Sequence, residues 1–599
     1  MQTSTNLGRE RATRRRFLQV AAGIGVASVV GVDPTRGEQA IEIEDWHDLD
    51  AIRENLDDDY VLKNDLDEST PGYDEHVGGP EDGWVPIGGW PYDDPAASFT
   101  GTFDGNDHEI SGLYSRGVAT GLFEVVHGGT VTSVTVSEVD LTVGDRGGAL
   151  VAHNAGTVTD SCASGIIFGE GVGGLVGWND GGDVRESSAS VEITRETGTA
   201  RNAGGLVGRN DGGTVADSSA SGDLTNVWES GGLVGWNTDG EIVRSSASGD
   251  LTDATESGGL VGINESGEVR ESQASGTVTG GRRLGGLVAI NDEGEIRTSS
   301  ATGTVTGPFV AGGLVGSNRG GAIVASSASG DVIGAGEAAI DVIYEKSLIG
   351  GLVGHNSGEV RESWTTGTAT GAVKIGGLAG RNRGEIVASS AVGGVTALSD
   401  AGGLVGTNDG GTVTDTWASV DITVSSDEPS RRVRRYYEQS TLGGLVGTND
   451  DGTVTDSWAS SSLPDAGRVG GIVGHNEGGE VRTTYWDGLA SDQVDGIGED
   501  DGEVTGLTEL STEEMSGASA RDTMSALDFE DSWTVQTAPD GYPALQWQPT
   551  VDTDEWQATM PDTDAADESS LGFGIASALT GLGATAYLLQ RRYTRRDTR

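Results

Sequence analysis

The chain has 599 residues, of which 100 are Gly and 13 are Pro, and its formal net charge is −56. The glycines follow no Gly-X-Y period, which excludes a collagen-like chain, and the acidic excess argues against a nucleic-acid partner. The single cysteine, Cys162, excludes an internal disulfide framework. Molar salt shortens the Debye length to about 3 Å and screens the self-repulsion of such a surface, so the composition predicts a halophilic protein.

The N-terminus predicts an export signal over residues 1–36. Two arginines precede one spacer residue, a Phe-Leu pair and an apolar run at 20–32 that is too short to span a bilayer. This pattern resembles a twin-arginine signal peptide, which directs the export of folded proteins. Its four defining residues are Arg14, Arg15, Phe17 and Leu18.

Residues 41–120 are rich in aromatic side chains and lack the repeat that follows them. They are predicted to form an N-terminal cap, with a short helix at 51–56 and a strand at 60–62.

A repeated motif occupies residues 121–486, and Gly173–Gly182 (GGLVGWNDGG) is one copy of it. Twelve copies recur, mostly at intervals near 27 residues, and each offers three short strands separated by Gly-bearing turns. No copy has the apolar period of a helix. The sequence therefore predicts an all-β protein, a β-solenoid of about twelve to thirteen coils with a cap at each end.

Every copy carries asparagine four residues after the motif leucine. Such a column could form an internal ladder in which each amide bonds to the next coil, and the alternative is that it presents amides to a ligand. The ladder is the preferred interpretation. The column comprises Asn154, Asn179, Asn210, Asn237, Asn264, Asn291, Asn318, Asn356, Asn382, Asn408, Asn449 and Asn476.

A variable column, predicted to face outward, carries Trp364, Trp417 and Trp458. Exposed indole faces could stack on sugar rings. The alternative is that they pack beneath two insertions, at 334–349 and 420–441, because large exposed apolar residues are usually covered.

The second insertion contains the main basic cluster outside the termini. It could bind a polyanion, or it could dock on the acidic solenoid itself. The cluster comprises Arg431, Arg432, Arg434, Arg435, Tyr436 and Tyr437.

The C-terminal part is predicted to contain four segments. Residues 487–548 form a C-terminal cap and 549–570 an acidic linker. Residues 571–590 are long and apolar enough for a transmembrane anchor, and the arginines of 591–599 mark a cytoplasmic tail.

No catalytic motif, cofactor site or regular metal site is predicted. The seven histidines are dispersed, and neither His-Glu-x-x-His nor Gly-x-Ser-x-Gly occurs. Turn aspartates such as Asp180 are replaced in other copies, for example by Arg319, which argues against a repeated Ca²⁺ site. Isolated Ca²⁺ sites are left open.

The Gly-Leu-x-Gly copies between Gly147 and Trp486 resemble the GLUG motif of bacterial and archaeal surface proteins. Residues 99–108 and 541–545 resemble the usual lead-in and end of that family. The resemblance implies a β-helical stalk or an adhesin-like surface protein. The segment Leu571–Gly574 is similar to archaeal C-terminal sorting signals of the Pro-Gly-Phe type but lacks the proline.

Three functions are therefore considered. The first is a non-enzymatic cell-surface protein for adhesion or envelope structure, anchored by its C-terminus to the cytoplasmic membrane, with a glycan or an envelope protein as partner. The second is a polysaccharide-cleaving β-helix enzyme, either a lyase or a glycoside hydrolase. The third is a carbohydrate-binding surface module that uses the outward tryptophans.

Overall fold

The described residues of the computed structural model form one β-solenoid of about 14 turns, with parallel stacked strands and about 6% helix. The fold predicted from the repeat is thereby confirmed. The structure describes residues 40–89, 96–195, 198–336, 347–424, 438–464, 467–492, 495–535 and 541–548.

Several sequence predictions concern residues outside these ranges. They are the export signal at 1–36, the basic cluster at 431–437, the linker at 549–570 and the anchor with its tail at 571–599. In the part of the chain that the structure describes, no helix has both the length and the apolar character that a membrane crossing requires.

Each coil contains a strand that follows the motif leucine, and these are termed the ladder strands. They pair in parallel and in register, so that Asn179 lies opposite Asn154 on one side and Asn210 on the other. The ladder strands are Val151–Thr159, Val176–Asp180, Val207–Asp211, Val234–Thr238, Val261–Glu265, Val288–Asp292, Val315–Arg319, Val353–Asn356, Ala379–Asn382, Val405–Asp409, Val446–Asp450, Val473–Glu477 and Ile497–Asp500.

Second and third strands follow in each coil after Gly-bearing turns. The second strands are Asp183–Arg185, Thr214–Ala216, Glu241–Val243, Glu268–Arg270, Glu295–Arg297, Ala322–Val324, Glu359–Arg361, Glu385–Val387 and Thr412–Thr414. The third strands are Thr135–Gly147, Cys162–Gly169, Ser188–Thr194, Ser219–Ala220, Ser246–Ala247, Gln273–Ala274, Ser300–Ala301, Ser327–Ala328, Trp364–Thr365, Ser390–Ala397 and Trp417–Val424. In the next coil Thr453–Ala459 covers both positions.

Two further sets of short strands complete the coils. A fourth set comprises Leu224–Thr225, Leu251–Ala254, Val278–Gly280, Val305–Thr306, Val332–Ile333 and Ala369–Thr370. A closing set precedes the glycine pair of the next copy and comprises Ala200–Arg201, Val227–Trp228, Leu284–Gly285, Val310–Gly312, Leu348–Gly350, Ile375–Gly376, Ala401–Gly402, Thr441–Gly443 and Arg468–Gly470.

The glycine pair of the motif is required by close backbone packing. A Cβ atom on Gly173 would lie 1.9 Å from the carbonyl oxygen of Val176, and one on Gly174 would lie 2.1 Å from that of Gly205. No side chain fits at either position, so the pair recurs wherever one coil packs this closely on the next.

The corner between the second and third strands uses left-handed backbone without glycine. Glu186 and Asp217 have φ values of 50° and 52°, a conformation that costs roughly 1 kcal/mol or more for such residues. Buried serines stabilise the corner. The backbone N–H of Ser187 donates to the hydroxyl of Ser218 at 3.2 Å, and the Ser187 hydroxyl donates to the carbonyl of Arg185 at 2.7 Å.

Parallel pairing extends N-terminal to the predicted limit at residue 121. Strand Ile41–Ile43 pairs with Tyr60–Leu62, which pairs with Thr102–Asp104, which pairs with Phe123–Thr132. Two further strands, Glu109–Ser111 and Tyr114–Thr120, pair with Thr135–Gly147. The region predicted as a cap is therefore itself built of coils.

The helices of this first region interrupt its coils. An α-helix spans Trp46–Ala51, a 3₁₀ turn spans Ile52–Glu54 and a π-helical turn spans Asp74–Gly78. The α-helix begins five residues before the predicted helix, because Asp45 caps it by accepting the backbone N–H groups of His47 and Asp48.

Parallel pairing also continues past residue 486. Strand Glu480–Asp487 pairs with Glu503–Leu510, and a short helix at Gly488–Ser491 lies between them. The chain then leaves the solenoid through a helix at Gly517–Thr523 and an antiparallel pair, Trp533–Thr534 with Ala544–Leu545.

Candidate functional site beside the asparagine ladder

The twelve motif asparagines form a continuous chain of side-chain hydrogen bonds. All twelve are fully buried. Each Nδ2 donates to Oδ1 of the asparagine in the next coil at 2.7–2.9 Å, and Asn476 donates to Asp500 at 2.8 Å.

The second amide hydrogen of these asparagines is also used within the chain. Nδ2 of Asn179, for example, donates to the carbonyl of Gly182 at 2.8 Å. Because buried polar groups are costly unless they are paired, every coil needs the same residue here. The amides point into the solenoid and offer nothing to an external ligand.

The tryptophan column does not form a sugar-binding surface, which corrects the alternative drawn from the sequence. Trp417 and Trp458 are only 4% and 1% exposed. Their rings stack on each other at 5.1 Å, and Tyr542 stacks on the other face of Trp458 at 5.1 Å. In-register pairing places the two indoles against each other, and the apolar stack is then covered by the segment after Leu510.

Residues of the C-terminal cap cover this column. Trp364 packs against Trp547 with ring centroids 5.5 Å apart. The indole N–H of Trp547 donates to the carbonyl of Ala388 at 2.9 Å, and that of Trp417 donates to Gln548 at 3.2 Å.

The residue before each asparagine faces the opposite side of the ladder strand, because side chains alternate along a strand. These residues are termed the face column. They differ from copy to copy, whereas the asparagines beside them do not. The face column comprises His153, Trp178, Arg209, Trp236, Ile263, Ile290, Ser317, His355, Arg381, Thr407, Thr448 and His475.

The sequence prediction missed the face column. The sequence nonetheless contains a signal for it, because the residue before each invariant asparagine varies from copy to copy.

The first part of the face column is aromatic and cationic. The ring of Trp178 is stacked on His153 at 4.7 Å, and the guanidinium of Arg209 lies 5.6 Å from its centroid. The Trp178 indole N–H donates to Asp211 at 3.0 Å. Both faces of this indole meet residues of the same chain, so its edge, and not its face, is presented outward.

A cationic group lies at the second part of the face column, and four residues define what is termed the cationic cluster: His355 and Arg381 of the face column, with Arg319 and Arg383, which directly follow Asn318 and Asn382. Arg381 and Arg383 both form ion pairs with Asp409. The guanidinium of Arg319 lies 3.8 Å from Asp292. Two guanidinium groups therefore share the Asp409 carboxylate, while the charge of Asp450 also acts on Arg381. The cluster concentrates three arginines on a chain of net charge −56.

His355 lies within this positive field as a neutral ring. Burial first, and then the nearby Arg381, Arg383, Arg319 and Arg283, lower the pKa of His355 to about 4. Among the described residues, neither His355 Nε2 nor Arg381 Nε has a hydrogen-bond partner. Both atoms are shielded from solvent, so an external ligand would meet the outer guanidinium nitrogens of the cluster and not these two atoms.

The lowered pKa of His355 predicts a pH dependence of stability. The unfolded chain takes up this proton near the ordinary pKa of 6.5 and the folded chain only near 4, so stability from this group is present above pH 6.5 and is lost as the pH falls toward 4. Wild type should therefore lose more stability between pH 7 and pH 5 than His355→Gln, measured as the shift in guanidinium midpoint. Equal shifts in the two proteins would contradict the lowered pKa.

Glu256 and Glu229 form a pair of acidic residues close to arginines, and paired carboxylates are the groups that glycoside hydrolases use. Glu256 is buried, and its two oxygens accept from the indole N–H of Trp228, at 3.3 Å, and from Arg283. Burial and the charge of Glu256 raise the pKa of the neighbouring Glu229. Both carboxylate oxygens of Glu256 already accept hydrogen bonds from this chain. The pair therefore has a structural role at a corner of the solenoid.

An open hollow of about 460 Å³ lies along the fourth strands. Threonine, glycine, alanine and apolar residues line most of it, and Asp253 is the charged residue of its lining. Polysaccharide cleavage uses paired carboxylates, and the lining of this hollow does not bring such a pair together.

The fold and the face column define a class of protein: a β-solenoid built from Gly-Leu repeats, with a constant asparagine ladder inside and a variable column on the other face of the ladder strands. Four stretches of the chain, 168–194, 199–225, 253–279 and 280–306, match the protein-family model described as the GLUG motif.

The chain is also similar to Halomucin of Haloquadratum walsbyi, at 36% identity over 107 residues. That match covers 17% of this chain and 1% of Halomucin. Together with the GLUG repeats, it supports a surface protein of a halophile.

Two solved structures resemble the fold weakly. A structure named IgA1 Protease is 18% identical, with 55% of this chain and 21% of that chain covered and a TM-score of 0.30. A candidate immunoglobulin A1 protease from Bacteroides ovatus is 12% identical, with 85% and 93% covered and a TM-score of 0.20. Neither likeness is strong enough to transfer an activity.

Proposed function

We propose that this chain is a non-enzymatic cell-surface protein of a halophile that holds an anionic polymer, such as an acidic polysaccharide of the cell envelope, along its face column. The observation that carries the proposal is the cationic cluster. It lies on the strand face where the copies differ, in a chain whose net charge is −56.

High salt decides which interactions can hold such a ligand. At about molar salt the Debye length is near 3 Å, so attraction over a distance is screened. Hydrogen bonds and ion pairs between atoms in direct contact are much less weakened by salt. Arginine suits them, because its planar guanidinium pairs with carboxylate or sulfate through two hydrogen bonds at once.

The solenoid repeats these contacts at a fixed spacing. Arg319 and Arg381 lie two coils apart, with the neutral His355 in the coil between them, and neighbouring parallel strands lie about 4.8 Å apart. An extended polymer with regularly placed charges can therefore meet several of them at once. Linked weak contacts of this kind add up to useful avidity.

The proposal includes the location of the protein. The twin-arginine pattern at 1–36 supports export in the folded state, and the apolar segment at 571–590 supports attachment to the cytoplasmic membrane with the tail at 591–599 inside. Adhesion and envelope structure are both compatible with a solenoid held in this way.

Binding is tested on an array of sulfated, uronate-containing and neutral glycans in about 2 M KCl. Wild type should bind anionic glycans in preference to neutral ones. Arg381→Gln/Arg383→Gln should bind them at least about 10-fold more weakly, because a charge-assisted hydrogen bond contributes roughly 1.5–3 kcal/mol.

The matched control is Arg297→Gln/Arg361→Gln. These two arginines are 48% and 45% exposed and pair with Glu295 and Glu359 on the second strands, away from the face column. The control removes the same charge and should bind as wild type does. Equal losses of glycan binding in both double variants would refute the proposal, as would equal binding of neutral and anionic glycans by wild type. Release of new reducing ends from a glycan would favour an enzyme.

A further inference from the structure

We propose that the first coil carries a binding site for a divalent transition-metal ion such as Zn²⁺, formed by His47, Glu75 and His76. The site lies outside the face column, and its existence does not depend on the proposed glycan binding. From the sequence, no regular metal site is predicted and only isolated Ca²⁺ sites are left open.

The three ligand atoms already lie close together. Nδ1 of His47 is 3.0 Å from Nε2 of His76 and 3.9 Å from a carboxylate oxygen of Glu75. All three ligand atoms lie within 4.8 Å of one another. In a tetrahedral zinc site, bonds of about 2.0–2.1 Å place neighbouring ligand atoms about 3.3 Å apart. Small rotations of these side chains would therefore create the metal geometry.

Local structure explains why residues 29 positions apart meet here. Asp45 caps the helix that starts at Trp46, which fixes His47 in the first turn. Gly72 has φ of +88°, and a Cβ atom there would lie 3.0 Å from the backbone nitrogen of His47. The π-helical turn Asp74–Gly78 is thereby held against the helix. Single π turns occur frequently at functional sites.

Glu75 and His76 project from this turn toward His47. The side chains of His47, Glu75 and His76 are 50%, 72% and 20% exposed. An ion can therefore reach the site from solvent, and a water molecule can complete its coordination.

A second set of residues orients His76. Asp50 Oδ2 lies 3.8 Å from His76 Nδ1, so a small rotation of the ring would bring the two into hydrogen-bond distance and leave Nε2 for the metal. A carboxylate behind a ligating histidine is the usual partner in zinc sites.

Asp50 is itself fixed in place. Arg53 Nε donates to Asp50 at 2.6 Å. The guanidinium of Arg53 also donates to the carbonyls of Pro86 and Val85 and lies 4.9 Å above the ring of Trp84. Asp50 is therefore a positioning residue held by a rigid neighbour, as a carboxylate that orients a ligating histidine must be.

The type of ion follows from the donor atoms. Two imidazole nitrogens and one carboxylate suit Zn²⁺, Ni²⁺ or Cu²⁺, whereas Ca²⁺ and Mg²⁺ prefer sets made only of oxygen. An excess of Mg²⁺ should therefore occupy the many exposed carboxylates of the chain without displacing an ion held by the two histidines.

Calorimetric titration of ZnCl₂ into the full, chelator-treated chain tests the site in high KCl with 10 mM MgCl₂. Wild type should show one more tight site than His47→Gln/His76→Gln. Asp50→Asn should weaken that site by about 10–100-fold, as expected for a carboxylate that orients a ligating histidine. Co²⁺ bound to wild type should give a visible absorption band that the double variant lacks.

His108→Gln is the matched control. His108 lies in the same region and pairs with Asp65 at 3.0 Å, and its removal should leave the titration unchanged. Unfolding midpoints in chelator confirm that each variant is folded, and Glu75→Gln replaces the double variant if that one is not. Equal binding by wild type and the double variant, or loss of wild-type binding in Mg²⁺, would overturn the proposal.

Discussion

Replacing Asn382 with alanine should lower the free energy of unfolding by about 2–5 kcal/mol. The substitution removes the acceptor for Asn356 Nδ2 at 2.8 Å and the donor to Asn408 Oδ1 at 2.9 Å. The carbonyl of Gly384, at 3.1 Å, loses its partner as well. Each buried polar group left unpaired costs roughly 1–3 kcal/mol, and alanine leaves no side chain that could replace these bonds.

The loss of stability should also extend to neighbouring coils of the solenoid. Repeat proteins gain their stability from interfaces between neighbouring repeats, so a break in the ladder weakens the coupling between the coils on either side. Guanidinium unfolding followed by circular dichroism gives the loss. Hydrogen exchange should show faster opening of the coils that contain Asn356, Asn382 and Asn408.

Gln273→Ala is the control for the loss of an amide. Gln273 is exposed on a third strand, and its removal should change the unfolding free energy by less than about 0.5 kcal/mol. A loss for Asn382→Ala no larger than that of the control would mean that the ladder contributes little to stability.

Replacing Trp458 with alanine should cost about 3–5 kcal/mol and should detach the C-terminal cap. Trp458 is 1% exposed and is stacked between Trp417 and Tyr542. Removing a buried tryptophan leaves a large cavity. The Trp458 indole nitrogen has no hydrogen-bond partner among the described residues, so the expected loss is one of packing alone.

Trypsin reports whether the cap has detached. Arg521 lies in the cap helix Gly517–Thr523, and cleavage there should be much faster in Trp458→Ala than in wild type. Trp236→Ala is the control, because this half-buried indole lies on the face column far from the cap, and it should leave cleavage at Arg521 unchanged. Unaltered cleavage in Trp458→Ala would show that the stack does not hold the cap.

The sequence predicts the solenoid well because each copy of the motif forms one coil, and every coil requires the same interior residues. The period and the invariant asparagine are both visible without a structure. The structure has about 14 turns beside the twelve to thirteen predicted, and strands such as Ile41–Ile43 and Glu503–Leu510 pair through the backbone although they carry no Gly-Leu motif. Backbone pairing leaves little trace in the sequence when the side chains change.

The candidate sites are harder to predict, because they depend on contacts between distant residues. Trp458 is covered by Tyr542, and Trp547 reaches the backbone of Ala388, 159 residues earlier. No local sequence pattern indicates that the C-terminal cap packs over the tryptophan column. His47 and His76 are likewise brought together by a helix cap and a glycine turn, so their spacing matches no metal-binding motif.

Two adjacent residues allow the central claim to be tested directly, because Arg381 faces outward on the same strand on which Asn382 faces inward. Both the unfolding free energy and the affinity for the anionic glycan that wild type binds most strongly are measured for Arg381→Gln and Asn382→Ala. Arg381→Gln should lose affinity while its stability changes by less than about 1 kcal/mol. Asn382→Ala should lose stability and, under conditions where it is folded, keep its affinity. If Arg381→Gln bound normally, or if both variants lost stability and affinity together, the division into a constant interior and a binding face column would be contradicted.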